Sequence, residues 1–82
     1  MSRVDYSSPT KRSVTIAGHE TSISLEPIFW QALEGAARDE ALPVNALIAR
    51  IDVERLDTPG GAPNLTSAIR QWLFLRAGRP NR

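Results

Sequence analysis

The side chains best placed to contact a ligand lie on a short alternating stretch of the sequence. Successive side chains of a strand point to opposite faces, so Glu20, Ser22 and Ser24 share a polar face while Ile23 and Leu25 share an apolar one. A two-stranded ribbon fits the DNA major groove, where small polar side chains can reach base edges. These three polar residues are therefore predicted to face bases. The strand must pair with another strand, because even an isolated hairpin is only marginally stable in water.

Basic residues precede this polar face. Lys11 and Arg12 are predicted to contact the phosphates of the DNA backbone, and helix N-termini nearby can bind phosphates through their free N–H groups. The net charge of the chain is only +1, so any contact with nucleic acid has to come from a local patch.

The sequence predicts neither an enzyme nor a cofactor or metal site. His19 is the only histidine and there is no cysteine, so neither a metal-ligand set nor a nucleophile with its base can be assembled. Gly18, Gly60 and Gly61 match neither a phosphate-binding loop nor a dinucleotide-binding fingerprint.

Three amphipathic helices are predicted to follow the strand. Apolar residues at spacings of three and four predict helices over 27–41 and 43–55, the second opened by Pro43 as its first residue. A third helix begins near Asn64 or Thr66, either of which can cap it, and stops at Gly78.

Two stretches allow more than one interpretation. Residues 11–16 alternate in polarity and form either a first short strand, with Gly18 as a bend, or an extended lead-in to the main strand. Phe74 and Leu75 lie off the apolar stripe of the third helix, which suggests burial against a neighbour such as a second subunit.

Length and composition predict one small domain. We expect a disordered arm over 1–10, a domain over 11–77 and a flexible tail over 78–82. The absence of cysteine, of a long apolar run and of a signal-peptide pattern predicts a soluble cytoplasmic protein without membrane contact.

The combined pattern resembles the ribbon-helix-helix superfamily of bacterial and phage repressors, in particular a subfamily of short proteins found mainly in alphaproteobacteria. The resemblance covers roughly residues 11–77. It is carried by KRSV near the start, TSISL in the strand, FWxxL and the two alanines at 36 and 37 in the first helix, VxxLI in the second and NLTSAIR in the third.

The resemblance implies a mainly α fold with one short β-strand and an additional C-terminal helix. It further implies an intertwined homodimer, whose antiparallel two-stranded ribbon takes one strand from each subunit. By position, Glu20, Ser22 and Ser24 match the base-reading residues of the family, and Val44 and Asn45 match the start of the second helix, which grips phosphate. The dimer core would comprise Ile23, Leu25, Phe29, Trp30, Leu33, Leu47, Ile48 and Ile51.

Two residues depart from the family pattern and weaken the DNA-binding interpretation. Glu20 places a carboxylate where family members often carry a basic or amide side chain, so it would repel phosphates unless it accepts a hydrogen bond from cytosine. Pro43 replaces the usual serine or threonine cap and removes one N–H from the end that binds phosphate.

Two functions from different classes remain. The first is a dimeric, sequence-specific DNA-binding transcriptional regulator or repressor that inserts its β-ribbon into the major groove of double-stranded DNA. The second is a protein-interaction module, either an antitoxin-like protein or a scaffold dimer, with weak or no DNA binding and a protein partner on the C-terminal helix.

Overall fold

The computed structural model describes residues 6–60 and 63–78, which form a β-hairpin followed by three helices. The elements are β1 (Thr10–Ile16), β2 (His19–Leu25), α1 (Pro27–Asp39), α2 (Val44–Leu56) and α3 (Leu65–Ala77). This order confirms the ribbon-helix-helix fold with a C-terminal helix. Of the arm predicted over 1–10, residues 1–5 lie outside the described residues, residues 6–9 belong to neither a helix nor a strand, and Thr10 already belongs to β1. Most of the tail predicted over 78–82 is also outside the described residues.

The structure corrects the number of strands in the chain. Residues 10–16 form a strand of their own, which pairs antiparallel with β2 of the same chain from Thr10 opposite Leu25 to Ile16 opposite His19. Of the two interpretations of this stretch, the first strand is therefore right, and the fold with a single short strand is wrong. Within the chain β2 pairs with β1, and the predicted pairing between strands of two subunits stays a prediction.

Ala17 and Gly18 make the tight turn of the hairpin. Their φ angles are +51° and +81°, the combination required at the two central residues of a type I′ turn. Glycine adopts this conformation freely, while a left-handed alanine costs roughly 1–2 kcal/mol. The turn therefore forms despite the local preference of Ala17, and the seven-residue ladder on either side must supply the stabilisation.

Helix α1 ends two residues earlier than its apolar pattern predicts. Ala41 has a φ of +57°, the Leu42 N–H donates to Ala37 O at 2.9 Å and the Ala41 N–H donates to Arg38 O at 3.1 Å. These bonds form a Schellman motif, which ends a helix by reversing the chain into the left-handed region. Asp39 is thus the last residue of α1.

The two following helices begin at polar or proline caps. Pro43 is the N-cap of α2 rather than its first residue, with φ −63° and ψ 153°. Asn64 caps α3, where its side chain accepts a hydrogen bond from the Ser67 N–H at 2.8 Å. Gly78 is the C-cap of α3, as the sequence predicts.

One apolar core fills the space between the hairpin and the helices. The inner face of the hairpin buries Val14, Ile16, Ile23 and Leu25, with β1 packed on α2 and β2 packed on α1 and α3. The residues predicted as a dimer core already lie inside this single chain. Ile23, Leu25, Trp30, Leu33, Leu47, Ile48 and Ile51 are all buried, and Phe29 is half-buried at the edge.

Trp30 connects α1 to the hairpin through three kinds of contact. Its indole is 1% exposed, its Nε1–H donates to the carbonyl of Thr10 at 2.8 Å, and the Arg12 guanidinium lies 4.5 Å from its ring centroid. Glu34, one turn further along α1, pairs with Arg12 at 3.0 Å. The start of β1 is therefore held on α1 by apolar, hydrogen-bonding and cationic contacts.

Phe74 and Leu75 of α3 lie on the surface of the chain. They are 78% and 62% exposed, while Ile69 and Leu73 of the same helix are buried. The predicted second apolar face of α3 is thus real, and none of residues 6–60 and 63–78 covers it. None of the helices in the described residues has the length and apolar character needed to cross a membrane.

Candidate nucleic-acid interface

The face of the hairpin that points away from the helices carries only polar side chains. Because β1 and β2 are antiparallel and in register, each outward residue of one strand lies directly opposite an outward residue of the other. The three cross-strand pairs are Lys11 with Ser24, Ser13 with Ser22, and Thr15 with Glu20, and all six residues are exposed. We call this set of six residues the outer face.

Hydroxyl groups dominate the chemistry of the outer face. Four of its six side chains are serine or threonine, each with one donor and two acceptor lone pairs. Such groups can hydrogen-bond to several different bases, and none is large enough to keep the ribbon from the floor of a groove. The face is thus suited to close contact with a polar surface.

The two charges of the outer face lie at opposite ends. Lys11 pairs with Ser24 at the end where β2 leads into α1, and Glu20 pairs with Thr15 next to the turn. The net charge of the outer face is zero, with the positive charge at the end next to α1 and the negative charge next to the turn. Any attraction to phosphate therefore comes from the Lys11 end.

Arg12 lies on the other side of the ribbon from the predicted base-facing residues. It shares the inward direction of Val14 and Ile16, stacks on Trp30 and pairs with Glu34 at 3.0 Å. The structure therefore separates Arg12 from Lys11, with which the sequence grouped it as a phosphate contact. His19, opposite Ile16 in the register, also has the inward parity of β2.

The N-terminus of α2 is uncapped by any side chain. Val44 is half-buried and Asn45 is exposed, and the first turn contains no acidic residue. Since Pro43 lies outside the helix, its missing N–H takes nothing from Val44, Asn45 or Ala46, whose N–H groups head the helix. The N-terminus of α2 therefore keeps these N–H groups for an anion, and the loss expected from Pro43 does not occur.

Most arginines of the described chain are already neutralised by carboxylates. The pairs are Arg12–Glu34 at 3.0 Å, Arg50–Glu40 at 3.2 Å, Arg55–Asp52 at 2.8 Å, Arg70–Glu26 at 3.0 Å, Arg76–Glu40 at 3.0 Å and Arg76–Asp39 at 3.4 Å. Hydrogen bonds from Arg76 and then from Arg50 lower the pKa of Glu40. Within residues 6–60 and 63–78, Lys11 and Arg38 are the basic residues without a carboxylate partner.

An apolar groove runs between the start of α1 and the outer side of α3. Its lining residues are Phe29, Arg70, Gln71, Phe74 and Leu75, and its volume is about 380 Å³. Arg70 lies 5.5 Å from the centroid of the Phe29 ring while it pairs with Glu26. A backbone hydrogen bond at Glu26, and then the bond from Arg70, lower the pKa of this carboxyl.

The sequence did not identify Ser13 and Thr15 as members of the outer face. The signal was present, because Val14 and Ile16 alternate with them and point inward. Without knowing that 10–16 pairs with β2, nothing placed these residues beside Ser22. For metal binding, no group of three or more histidine, aspartate or glutamate side chains comes together in the described part of the chain.

Comparison with known proteins gives one match. A family model described as a ribbon-helix-helix domain matches residues 9–77, from the start of β1 to the end of α3. Neither the curated proteins nor the solved structures contain a match to this chain.

Proposed function

Since the chain belongs to the ribbon-helix-helix domain family, whose members are in general DNA-binding regulators or antitoxins, we propose that it is a sequence-specific transcriptional regulator that places the outer face of its hairpin in the DNA major groove. The observation that supports this most is the outer face itself, which is exposed, in register and entirely polar. A cytoplasmic bacterial repressor is the form of regulator that agrees best with the family resemblance.

Base contacts come from the β2 side of the outer face. Ser22 and Ser24 are exposed on β2, and Glu20 beside them can accept from the amino group of cytosine. The phosphates on either side are bound by Lys11 and by the backbone N–H groups of Val44 and Asn45. Arg12 is left out of this set because Glu34 and Trp30 hold it on the inner side.

Lys11→Ala is expected to weaken binding to all DNA sequences alike. Each phosphate contact contributes about 0.9 to the slope of log affinity against log salt, so loss of Lys11 should flatten that slope by about one. Ser22→Ala should instead change which sequences bind, at nearly constant salt dependence. The measurement is a fluorescence anisotropy titration with labelled duplexes over a series of salt concentrations.

Arg38→Ala is the matched control for Lys11→Ala. Arg38 is the other described basic residue without a carboxylate partner, and it lies in the last turn of α1 rather than on the ribbon. If the two variants lost affinity equally, Lys11 would have no special contact and the ribbon would not be the DNA-binding surface. Failure of the wild-type protein to bind any duplex at low salt would contradict the proposed function as a whole.

The protein acts as a homodimer, as ribbon-helix-helix proteins typically do. Exposed Phe74 and Leu75, next to the groove beside Phe29, make α3 the best surface for the second copy. A two-fold contact requires a self-complementary patch, and Arg70 with Glu26 at its rim supplies both signs of charge.

Phe74→Glu is expected to convert the dimer into monomers. A central aromatic residue typically contributes 2 kcal/mol or more to an interface, so the dissociation constant should rise by roughly 30-fold or more. Val53→Glu is the control, since Val53 is an apolar residue of α2 with 59% exposure and lies away from the groove. Sedimentation equilibrium at micromolar concentration measures the dissociation constant of the dimer. An unchanged dissociation constant for Phe74→Glu would exclude α3 from the interface.

The second candidate is a protein-interaction module of the antitoxin or scaffold kind. The paired arginines and the neutral outer face favour it, because they leave few free positive charges for phosphate. The groove between α1 and α3 would then hold a segment of another protein. A folded wild-type dimer that binds no DNA in the titration above would support this function over the first.

A further inference from the structure

We infer that Glu34 competes with DNA phosphate for Arg12, so that this carboxylate of α1 lowers the affinity of the protein for DNA and Arg12 exchanges it for a phosphate on binding. The inference rests on the proposed DNA binding and goes beyond it, since it gives an acidic residue outside the outer face a part in setting the affinity for DNA.

The ion pair of Arg12 and Glu34 differs from the other ion pairs of the described chain in its place and its exposure. Arg12 lies on β1, while the other paired arginines of residues 6–60 and 63–78 lie on α2 and α3. The side chains of Arg12 and Glu34 are 45% and 41% exposed, and each of the other pairs has at least one less exposed partner. An exposed ion pair typically changes an equilibrium by less than about fivefold, because water and salt screen both charges. Another anion can therefore replace Glu34 at Arg12.

Trp30 restricts the guanidinium of Arg12 before any DNA is bound. The indole is 1% exposed and fixed in the core, and the guanidinium lies 4.5 Å from its ring centroid. A guanidinium is planar and has five N–H donors. Among the described residues it makes one hydrogen bond, in which Nη1 donates to Oε2 of Glu34 at 3.0 Å. Arg12 can thus bind a phosphate without leaving Trp30, and this restriction lowers the entropic cost of the contact.

The dimensions of the major groove bring phosphates to the level of Arg12. The groove is about 8.5 Å deep, whereas serine and threonine are short and their hydrogen bonds to bases span about 3 Å. The backbone of a ribbon whose hydroxyls contact bases therefore lies inside the groove, with the phosphates of the rim beside it. Arg12 is a long side chain with inward parity that remains exposed, so it is directed towards the rim rather than towards the bases.

The balance between the two anions depends on salt. Each phosphate contact contributes about 0.9 to the slope of log affinity against log salt, so a contact gains about eightfold between 1 M and 0.1 M salt. This gain exceeds the factor of about five that an exposed ion pair contributes at most. At 0.1 M salt Arg12 therefore exchanges Glu34 for phosphate, and the cost of breaking the ion pair is subtracted from the affinity for DNA.

Glu34→Gln tests this inference by removing the competing charge while keeping the size of the side chain. It should tighten binding to duplex DNA at 0.1 M salt by about three- to fivefold more than Glu54→Gln does. Glu54→Gln is the matched control, because it removes the same charge from an exposed position of α2. The slope of log affinity against log salt should stay that of the wild type in both variants. The measurement is a fluorescence anisotropy titration over a series of salt concentrations.

Arg12→Gln shows whether Glu34 acts through Arg12. Glutamine removes the charge and keeps a long side chain against Trp30, and thermal unfolding followed by circular dichroism checks that the variant is folded. It should weaken DNA binding and flatten the salt slope by about 0.9. In the double variant Arg12→Gln with Glu34→Gln, the gain from Glu34→Gln should be no larger than the gain from Glu54→Gln.

The outcomes separate this inference from the function on which it rests. Equal gains from Glu34→Gln and Glu54→Gln, or a gain from Glu34→Gln that persists without Arg12, would overturn the competition. If Lys11→Ala flattens the salt slope and Arg12→Gln does not, the proposed DNA binding stands and the inference is wrong. If the wild type binds no duplex even at low salt, the proposed function fails and the inference fails with it.

Discussion

Replacement of Trp30 with alanine is expected to remove most of the stability of this protein. Truncation of a buried tryptophan typically costs about 3–5 kcal/mol, and a small domain is stabilised by only about 5–15 kcal/mol in total. Trp30 is 1% exposed and also carries the hydrogen bond to Thr10 and the stacking of Arg12. Urea unfolding followed by far-UV circular dichroism should place the midpoint of Trp30→Ala far below that of the wild type.

The other tryptophan of the chain is the control for this prediction. Trp72 is half-buried on α3 and stacks with Arg76 at 5.4 Å, so Trp72→Ala should cost only about 1–2 kcal/mol. Trp30→Phe keeps most of the apolar contact but loses the N–H donor, and should fall between wild type and Trp30→Ala. Equal stability of Trp30→Ala and Trp72→Ala would contradict the role of Trp30 as the link between the hairpin and α1.

Glu20→Lys is expected to raise the affinity for DNA of mixed sequence by roughly tenfold. It changes the sum of charges on the outer face from zero to two positive charges, and a new phosphate contact steepens the salt dependence by about one unit of slope. The increase should be largest at low salt and should fade as ionic strength rises. The measurement is a titration of random-sequence duplexes, in which the loss of a hydrogen bond from cytosine to Glu20 at particular sequences has little effect on the average affinity.

Glu54→Lys is the control that separates the effect of a positive charge on the outer face from the effect of a higher net charge of the protein. Glu54 is exposed on α2, away from the outer face, and the same substitution there changes the net charge by the same amount. Glu20→Gln removes the negative charge without adding a positive one and should give an intermediate gain. If Glu20→Lys and Glu54→Lys tightened binding equally, the ribbon would have no closer approach to the phosphates than α2 does.

The helices were predictable because their signals are local. The Asn64 cap, the Gly78 stop and the apolar spacing of α1 and α2 all act within a few residues. The end of α1 is not predictable from the sequence, because alanine rarely adopts the positive φ that Ala41 has. The hairpin turn has no clear sequence signal for the same reason, since Ala17 is not one of the residues that normally mark a type I′ turn.

The alternation of side chains along a strand predicts correctly which residues of the candidate site face outward. Positive charge alone does not predict which residues are free to contact phosphate. Parity placed Ser22 and Ser24 outward, as the structure has them. The same rule applied to β1 puts Arg12 inward with Val14, but its positive charge led to its grouping with Lys11. The ion pairs of the arginines depend on tertiary contacts, such as Arg70 with Glu26 across 44 residues, which no local pattern reveals.

The arginines of α3 clamp α1 at its two ends. Arg70 binds Glu26 just before α1 begins, and Arg76 binds Glu40 just after it ends. The two ion pairs thus tie α3 to points at both ends of α1. Glu26 is also the residue that joins β2 to α1. The ion pair of Arg70 therefore joins α3 to the same residue through which the hairpin joins α1, so three elements of the fold meet at Glu26.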